Sequence, residues 1–556
     1  MPRIGWRHDV IRDFTLVRAT SRGDHGFDAA AIGGTAVVTV GASPAGLRRH
    51  AFWLGAALVV AGVALHFPNF FMASTDHYRM VGMPMGTAMT TGMVLIVIGL
   101  AVGGWSLFPS RGVRARRARH VGAGQFAALE RTRLGRAHWA LVAVLTVGLV
   151  VDTMKPASLG FVVPGMAAEY GLTKATAAFL PWVAIIGTVI GSLVWGYLAD
   201  LFGRRATILL STLIYVSTSI CGFMPAFGWN LLMCLMMGMS AGGMLPTVYS
   251  LMSESMPADK RGWLIVLQSG LGTALGYLAA SGAATLLAPH YSWRVLWLIG
   301  APTGLLLLVL SRWIPESPRF LLAAGRTEEA RAVMARYGIT EVPAALSDTV
   351  TAHTSARTLF HSPLVSRTVP ILLYGLSWGV INWTFITFLP TLLQKSETGV
   401  AASGLLFRAE LFALPTAVLV AALYARWSSK ATLLLCAGVT FLALVTFPVL
   451  GAVGDGQGVL VVLLVVMLSS ANGMIAALAP YVTEVYPTDV RATASGLAAA
   501  ASKIGGLFGP LLLTAAPTIS GLALVCALPV GVAAIVFLRT GMETTGRPLV
   551  EAIEPT

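Results

Sequence analysis

GYLADLFGRR, residues 196–205, separates two apolar runs, Thr176 to Trp195 and Ala206 to Met224. A helix of about 20 apolar residues crosses a bilayer, so the stretch reads as a very short loop between two spanning helices. Gly196 and Gly203 let the chain turn tightly and let neighbouring helices approach closely. Asp200, Arg204 and Arg205 fall at the water boundary, and the arginines mark that side as cytoplasmic.

The composition agrees with that reading. Of 556 residues, 56% are hydrophobic and only 11% charged, with a mean hydropathy of +0.77. Soluble chains carry about 25% charged residues, so this is a polytopic, all-α membrane protein. The net charge of +14 does not point to nucleic acid. Its basic residues collect near the N-terminus and between apolar runs, as the positive-inside rule expects. Cys221, Cys234, Cys436 and Cys526 each stand alone in apolar runs, and the histidines lack metal-ligand spacing. Neither a disulfide framework nor a metal or other cofactor is expected. The first 47 residues lack the apolar core of a cleavable signal.

Working outward, residues 1–50 read as a disordered, basic cytoplasmic segment and 51–108 as a transmembrane hairpin joined outside by STDHYR. Residues 109–137 form a basic cytoplasmic linker suited to anionic lipid. Twelve further spans follow: six within 138–314, a central cytoplasmic loop at 315–366, six within 367–540, and a cytoplasmic tail at 541–556. The loop holds one short amphipathic segment, GRTEEARAVMARYG. An internal repeat supports this division. ESMPADKRG (254–262) reappears as EVYPTDVRA (484–492), an offset of 484 − 254 = 230, and Arg205-Ala-Thr-Ile-Leu as Lys430-Ala-Thr-Leu-Leu, an offset of 430 − 205 = 225. Two matches at nearly one offset imply two parallel six-helix halves.

The loop G-x-L-A-D-x-x-G-R-R, the repeat, PESPRF (315–320), LMSESMPADKRG (251–262), FLPTLL (388–393) and LGFVVP (159–164) together resemble the major facilitator superfamily. Within it they are similar to the aromatic-acid/proton symporters and the sugar porters. The resemblance spans about 136–540 and implies a twelve-helix fold that moves a solute by alternating access, with two extra helices at the N-terminus. It also implies cytoplasmic gating by charges at helix ends: Asp200, Glu254, Arg261, Glu316 and Arg319, with Glu484 and Arg491 in the second half. The second copy of the loop is degraded, since Ala425 stands at the place of Asp200 and Ser428 at that of Gly203.

Ionisable residues at membrane depth are costly and point to function. Asp152 and Lys155 are three apart and share a helix face. They would carry a proton and hold a substrate carboxylate, or else close the helix end as a structural pair, with Pro156 able to unwind the helix there. Aromatic-acid symporters have D-G-x-D here, so Lys155 replaces an acid, and Cys234 replaces an arginine expected twelve residues before Pro246. Arg408 is a second candidate for an anion, while Glu410 lies off its face. Tyr374, Trp378 and Asn382 form one helical stripe suited to a ring with polar groups, or to packing. Gln268, Tyr277 and Asn472 are further polar candidates.

These features point to a secondary transporter of the bacterial inner membrane with both termini cytoplasmic. Its partners would be a small organic solute, read as a carboxylate, and protons; a monomer is the expected state. No phosphate-binding G-x-x-x-x-G-K-[ST] loop is present. Efflux of drugs or metabolites and sugar or polyol transport are alternatives, and a solute-sensing receptor is a different class. No convergent nucleophile and base suggests an enzyme.

Overall fold

The computed structural model describes residues 44–108, 132–339, 356–361, 364–393, 402–453, 457–486, 488–516 and 518–545. The expectations for the N-terminal segment, most of the basic linker and the end of the tail fall outside these. Every regular element among the described residues is a helix. Fourteen of them are long and apolar enough to cross a membrane. They are α1 Leu47–Asp76, α2 Thr87–Leu107, α3 Arg136–Tyr170, α4 Ala175–Ala199, α5 Arg204–Phe223, α6 Phe227–Ser255 and α7 Lys260–Leu286. The remainder are α8 Val295–Trp313, α9 Val365–Leu393, α10 Ala402–Arg426, α11 Ser429–Val449, α12 Gly458–Val485, α13 Thr493–Ala515 and α14 Ile519–Thr540.

Helices α3–α8 form the first half and α9–α14 the second, each around its own apolar core. Small residues set the tightest approach. A Cβ on Gly187 or Gly238 would strike the backbone of the facing helix, so α4 and α6 lie backbone to backbone. Helix α3 runs unbroken through Pro156 and Pro164, correcting the expectation that Pro156 unwinds it. The amphipathic segment of the central loop folds as Thr327–Arg336, with Ala330 and Met334 buried and Arg326–Glu329 and Arg331–Glu328 paired on its wet face.

The extra pair α1–α2 packs against the first half. Val63, Phe70, Met80, Met89 and Ile96 meet Ile220, Phe223, Met224 and Leu298, while Phe52, Ala56 and Val59 meet Leu209, Leu213, Val216 and Leu308. A polar latch reinforces the contact. The Met80 amide, in the loop between α1 and α2, donates to Glu169 Oε1 at 3.0 Å. Glu169 also pairs with Arg294 (2.7 Å), accepts from Trp293 Nε1 (2.8 Å), and lies at the C-terminal end of α3. Arg294 is fully buried and donates further to the Gly222 and Met224 carbonyls at 3.1 Å each.

Candidate functional site

The two halves meet along α7 with α10 and α12, α3 with α9, and α4 with α13. Near the C-terminal end of α3, Gly160 lies against the Thr387 carbonyl and Pro390 of α9, and Trp182 Nε1 donates to the Leu507 carbonyl at 3.2 Å. Toward the opposite end of the bundle, Gly262 of α7 lies under Glu484 of α12, and Gly270 packs on Ala417 and Ala476.

Between these seals is a cavity of about 20 Å³, room for roughly one water. Ala157 and Phe161 of α3 and Tyr277 and Ser281 of α7 line it from the first half. Ile386 and Pro390 of α9, Leu406 and Glu410 of α10 and Leu468 of α12 line it from the second. Glu410 is 2% exposed, and its Oε2 is buried with no hydrogen-bond partner among the described residues. Such a group costs more than an apolar one unless something visits it. The Tyr277 hydroxyl donates to Asn382 Oδ1 at 2.9 Å, linking the halves beside the cavity. Asn382 lies on a π-helical turn, Ile381–Ile386; such turns are frequent at functional sites.

The other intramembrane candidates divide. Asp152 is buried and lies within electrostatic reach of Lys503 on α13. Lys155 does not pair with Asp152, which corrects the expected ion pair. Its ammonium leans into the first half and donates to the Tyr215 carbonyl and Thr218 Oγ1 at 2.7 Å and to Ser219 Oγ at 3.2 Å. It sits 4.4 Å from the centre of the Tyr215 ring and against Gly300, where a side chain would collide with it. Three apart on a helix leaves about 60° between two side chains, and that angle sends Lys155 toward α5. Lys155→Met is therefore expected to change the apparent affinity for any transported solute by less than about twofold, while lowering stability by about 1–2 kcal/mol through the hydrogen bonds lost. Uptake kinetics and a thermal melt check both.

Arg408 is exposed on the flank of α10, about 200° around the helix from Glu410, and does not join the cavity. Tyr374 and Trp378 are committed to the second half's packing. The Tyr374 hydroxyl donates to the Leu433 carbonyl and Trp378 Nε1 to the Ala471 carbonyl, both at 2.9 Å. Gln268 is buried with neither amide atom partnered among the described residues, as is the Asn472 Nδ2.

Several of the helix-end charges read as gating residues form networks. Arg204 bridges to Glu254 at 3.1 Å. Glu316 instead caps the start of α5: its Oε1 accepts from the Arg204 amide at 2.7 Å and the Arg205 amide at 3.3 Å. Burial pushes the Glu316 carboxyl up, and these amide bonds oppose the shift. Gly203 makes the approach possible, since it holds φ +101° and a Cβ there would strike Glu316. A Cβ on Gly196 would meet nothing within 4 Å, so the close-packing role expected for it is absent here. Arg319 occupies the second position of the short helix Pro318–Ala323. The side chains of Asp200 and Arg491 lie outside the described residues.

The second half repeats the cap with a residue the sequence reading passed over. Glu543 follows α14 as Glu316 follows α8, and 543 − 316 = 227 falls between the two repeat offsets. Its carboxylate accepts from Ser428, Ser429 and the Ser429 amide at the start of α11. Thr544 and Tyr424 in turn donate to Glu484 at 2.6 and 2.7 Å, and Arg261 of the first half lies within electrostatic reach of it. Burial pushes the Glu543 carboxyl up, but the bonds from Ser428, Thr545 and Ser429 outweigh it and hold it at about 2 against an ordinary 4.5. A folded pKa below the unfolded one stabilises above the unfolded value and is lost as pH falls toward the folded one. Wild type should therefore lose stability between about pH 5 and pH 2 more steeply than Glu543→Gln, as thermal melts in detergent would record.

Residues 141–510 match the Major Facilitator Superfamily profile. The chain belongs to that superfamily. This facilitator is 28% identical over 401 residues to the niacin transporter NiaP of Acinetobacter baylyi, covering 69% of this chain and 89% of the relative. It is 27% identical over 393 residues to the 4-hydroxybenzoate transporter PcaK of the same organism, covering 68% and 84%. Its fold matches a partially occluded, inward-open structure of the xylose transporter XylE from E. coli with a TM-score of 0.60 at 17% identity, over 75% of this chain and 100% of that one. The facilitator is thus a multi-pass membrane transporter of small organic solutes and not an enzyme. It carries two spans ahead of the twelve-helix core.

Proposed function

We propose that this chain carries a small organic acid together with protons across the bacterial inner membrane, with both termini on the cytoplasmic side and the two halves rocking around the cavity at Glu410. The observation that carries the reading is the buried, unpartnered Glu410 carboxyl at a cavity between the halves. A solute anion bound between the halves beside this dry site raises the cost of ionising Glu410, so the carboxyl keeps its proton while the anion is bound. The anion and the proton then travel as one neutral load. Phe161 and Tyr277 offer ring faces, and Ser281 and Asn382 offer polar atoms, a lining suited to a small aromatic body. Similarity to transporters of niacin and 4-hydroxybenzoate supports the same class of solute.

The test is uptake of niacin and of 4-hydroxybenzoate by the purified full chain in liposomes. An inwardly directed proton gradient should drive accumulation, and a protonophore should abolish it. Acid flux indifferent to the gradient would overturn the coupling, and binding without flux would point to a receptor. A neutral hydroxylated solute is the second reading, favoured by the absence of any cation among the residues lining the cavity. Sugar flux without acid flux would select it.

A further inference from the structure

If the solute is an anion, something must hold its charge, and the cavity lining supplies no cation. Lys155 and Arg294 are bound within the first half. Lys503 differs from both. It rises from α13 in the second half and reaches across the interface to Ser192 Oγ of α4 and to the Gly242 carbonyl of α6 at 3.1 Å. Both are neutral acceptors, one a hydroxyl and one a carbonyl, and Asp152 lies within electrostatic reach. The direct hydrogen bonds of this ammonium are to neutral groups, so an incoming carboxylate can replace them with a charge-assisted bond.

We propose that Lys503 is the residue that selects a carboxylate, binding it in place of Ser192 and Gly242 once the halves part. This rests on the organic-acid reading above and names the group that reads the acid. Position supports it. Asp152 stands five residues before Ala157, about 7.5 Å along α3, so the Lys503 region lies one small ring's length to the cytoplasmic side of the cavity. Once the halves part and the cavity widens, a solute ring seated between Phe161 and Tyr277 would point its carboxylate toward Lys503. The same motion that separates the halves breaks the bonds of Lys503 to Ser192 and Gly242, because each joins opposite halves. Opening the site and freeing the ammonium are then one event. The bond that replaces them joins two opposite charges and is stronger than either.

The experiment compares each acid with its uncharged amide in liposomes holding the full chain: niacin against nicotinamide, and 4-hydroxybenzoate against 4-hydroxybenzamide. Lys503→Ala should raise KM for the acids about tenfold or more, the size expected for a hydrogen bond between charged groups. It should leave the KM of the amides within about twofold, since neutral hydrogen bonds contribute less, and any change in kcat from the lost cross-interface bonds should be the same for acid and amide. Lys503→Arg should retain most of the preference for acid. Lys503→Gln keeps a polar head without the charge and reads the same contrast should the alanine variant fail to fold. Equal losses on acid and amide, or no change on either, overturn the proposal while leaving the acid-transport reading intact. A wild-type protein that moves no acid overturns both.

Discussion

With Glu410→Gln in liposomes, an inward proton gradient is expected to produce no accumulation of acid, while exchange of internal for external acid continues. Wild type should reach about tenfold accumulation for each unit of pH difference, since one unit of proton activity is worth 1.36 kcal/mol, whereas the variant should stay near equal concentrations. The argument is steric and electrostatic together. Glutamine fills the space of glutamate at a site 2% exposed, so the walls of the cavity stay in place. It cannot take up or release a proton, so the anion must enter without its neutralising partner. Accumulation by the variant equal to wild type would remove Glu410 from the coupling step and leave Asp152 as the buried acid to test next.

The second large effect is on stability. Arg294→Ala is expected to cost about 3–5 kcal/mol, the usual penalty for stranding one member of a buried ion pair. Glu169 would keep the Trp293 and Met80 donors but lose the charge opposite it, and the Gly222 carbonyl would lose the Arg294 donor while the Met224 carbonyl kept only the Tyr170 hydroxyl. The double variant Glu169→Gln, Arg294→Met should recover most of the loss, because no unpaired charge remains. Melting curves of the three proteins in one detergent decide it. A single variant as stable as wild type would show that the pair contributes nothing net.

Hydropathy made the fourteen spans legible, because each lipid-facing helix must satisfy its own backbone and expose apolar side chains. The repeat made the two halves legible, and the charges at helix ends marked where networks would form without saying that Arg204 would take Glu254. What stayed hidden depended on direction. Spacing put Asp152 and Lys155 on one face, yet no spacing rule states that α5 holds a pocket of hydroxyls and a carbonyl that draws the ammonium away. Arg408 and Glu410 were correctly separated, but only packing decides which of them turns inward. Lys503 was passed over because its partners lie 261 and 311 residues away. Glu169 and Arg294 sit at the ends of spans 125 residues apart, and no spacing rule pairs them. Glu543 could have been found, since its offset from Glu316 repeats the one already in hand.

The hairpin ahead of the core bears on how the machine moves. Among the described residues its apolar contacts and its latch through Glu169 involve the first half. That half therefore displaces more lipid, and any tilt of it must drag two additional helices through the bilayer. Among the described residues the second half shows no such added mass. If the halves rock as proposed, the first half is expected to act as the stator, with most of the swing falling to the side that bears Glu410 and Lys503.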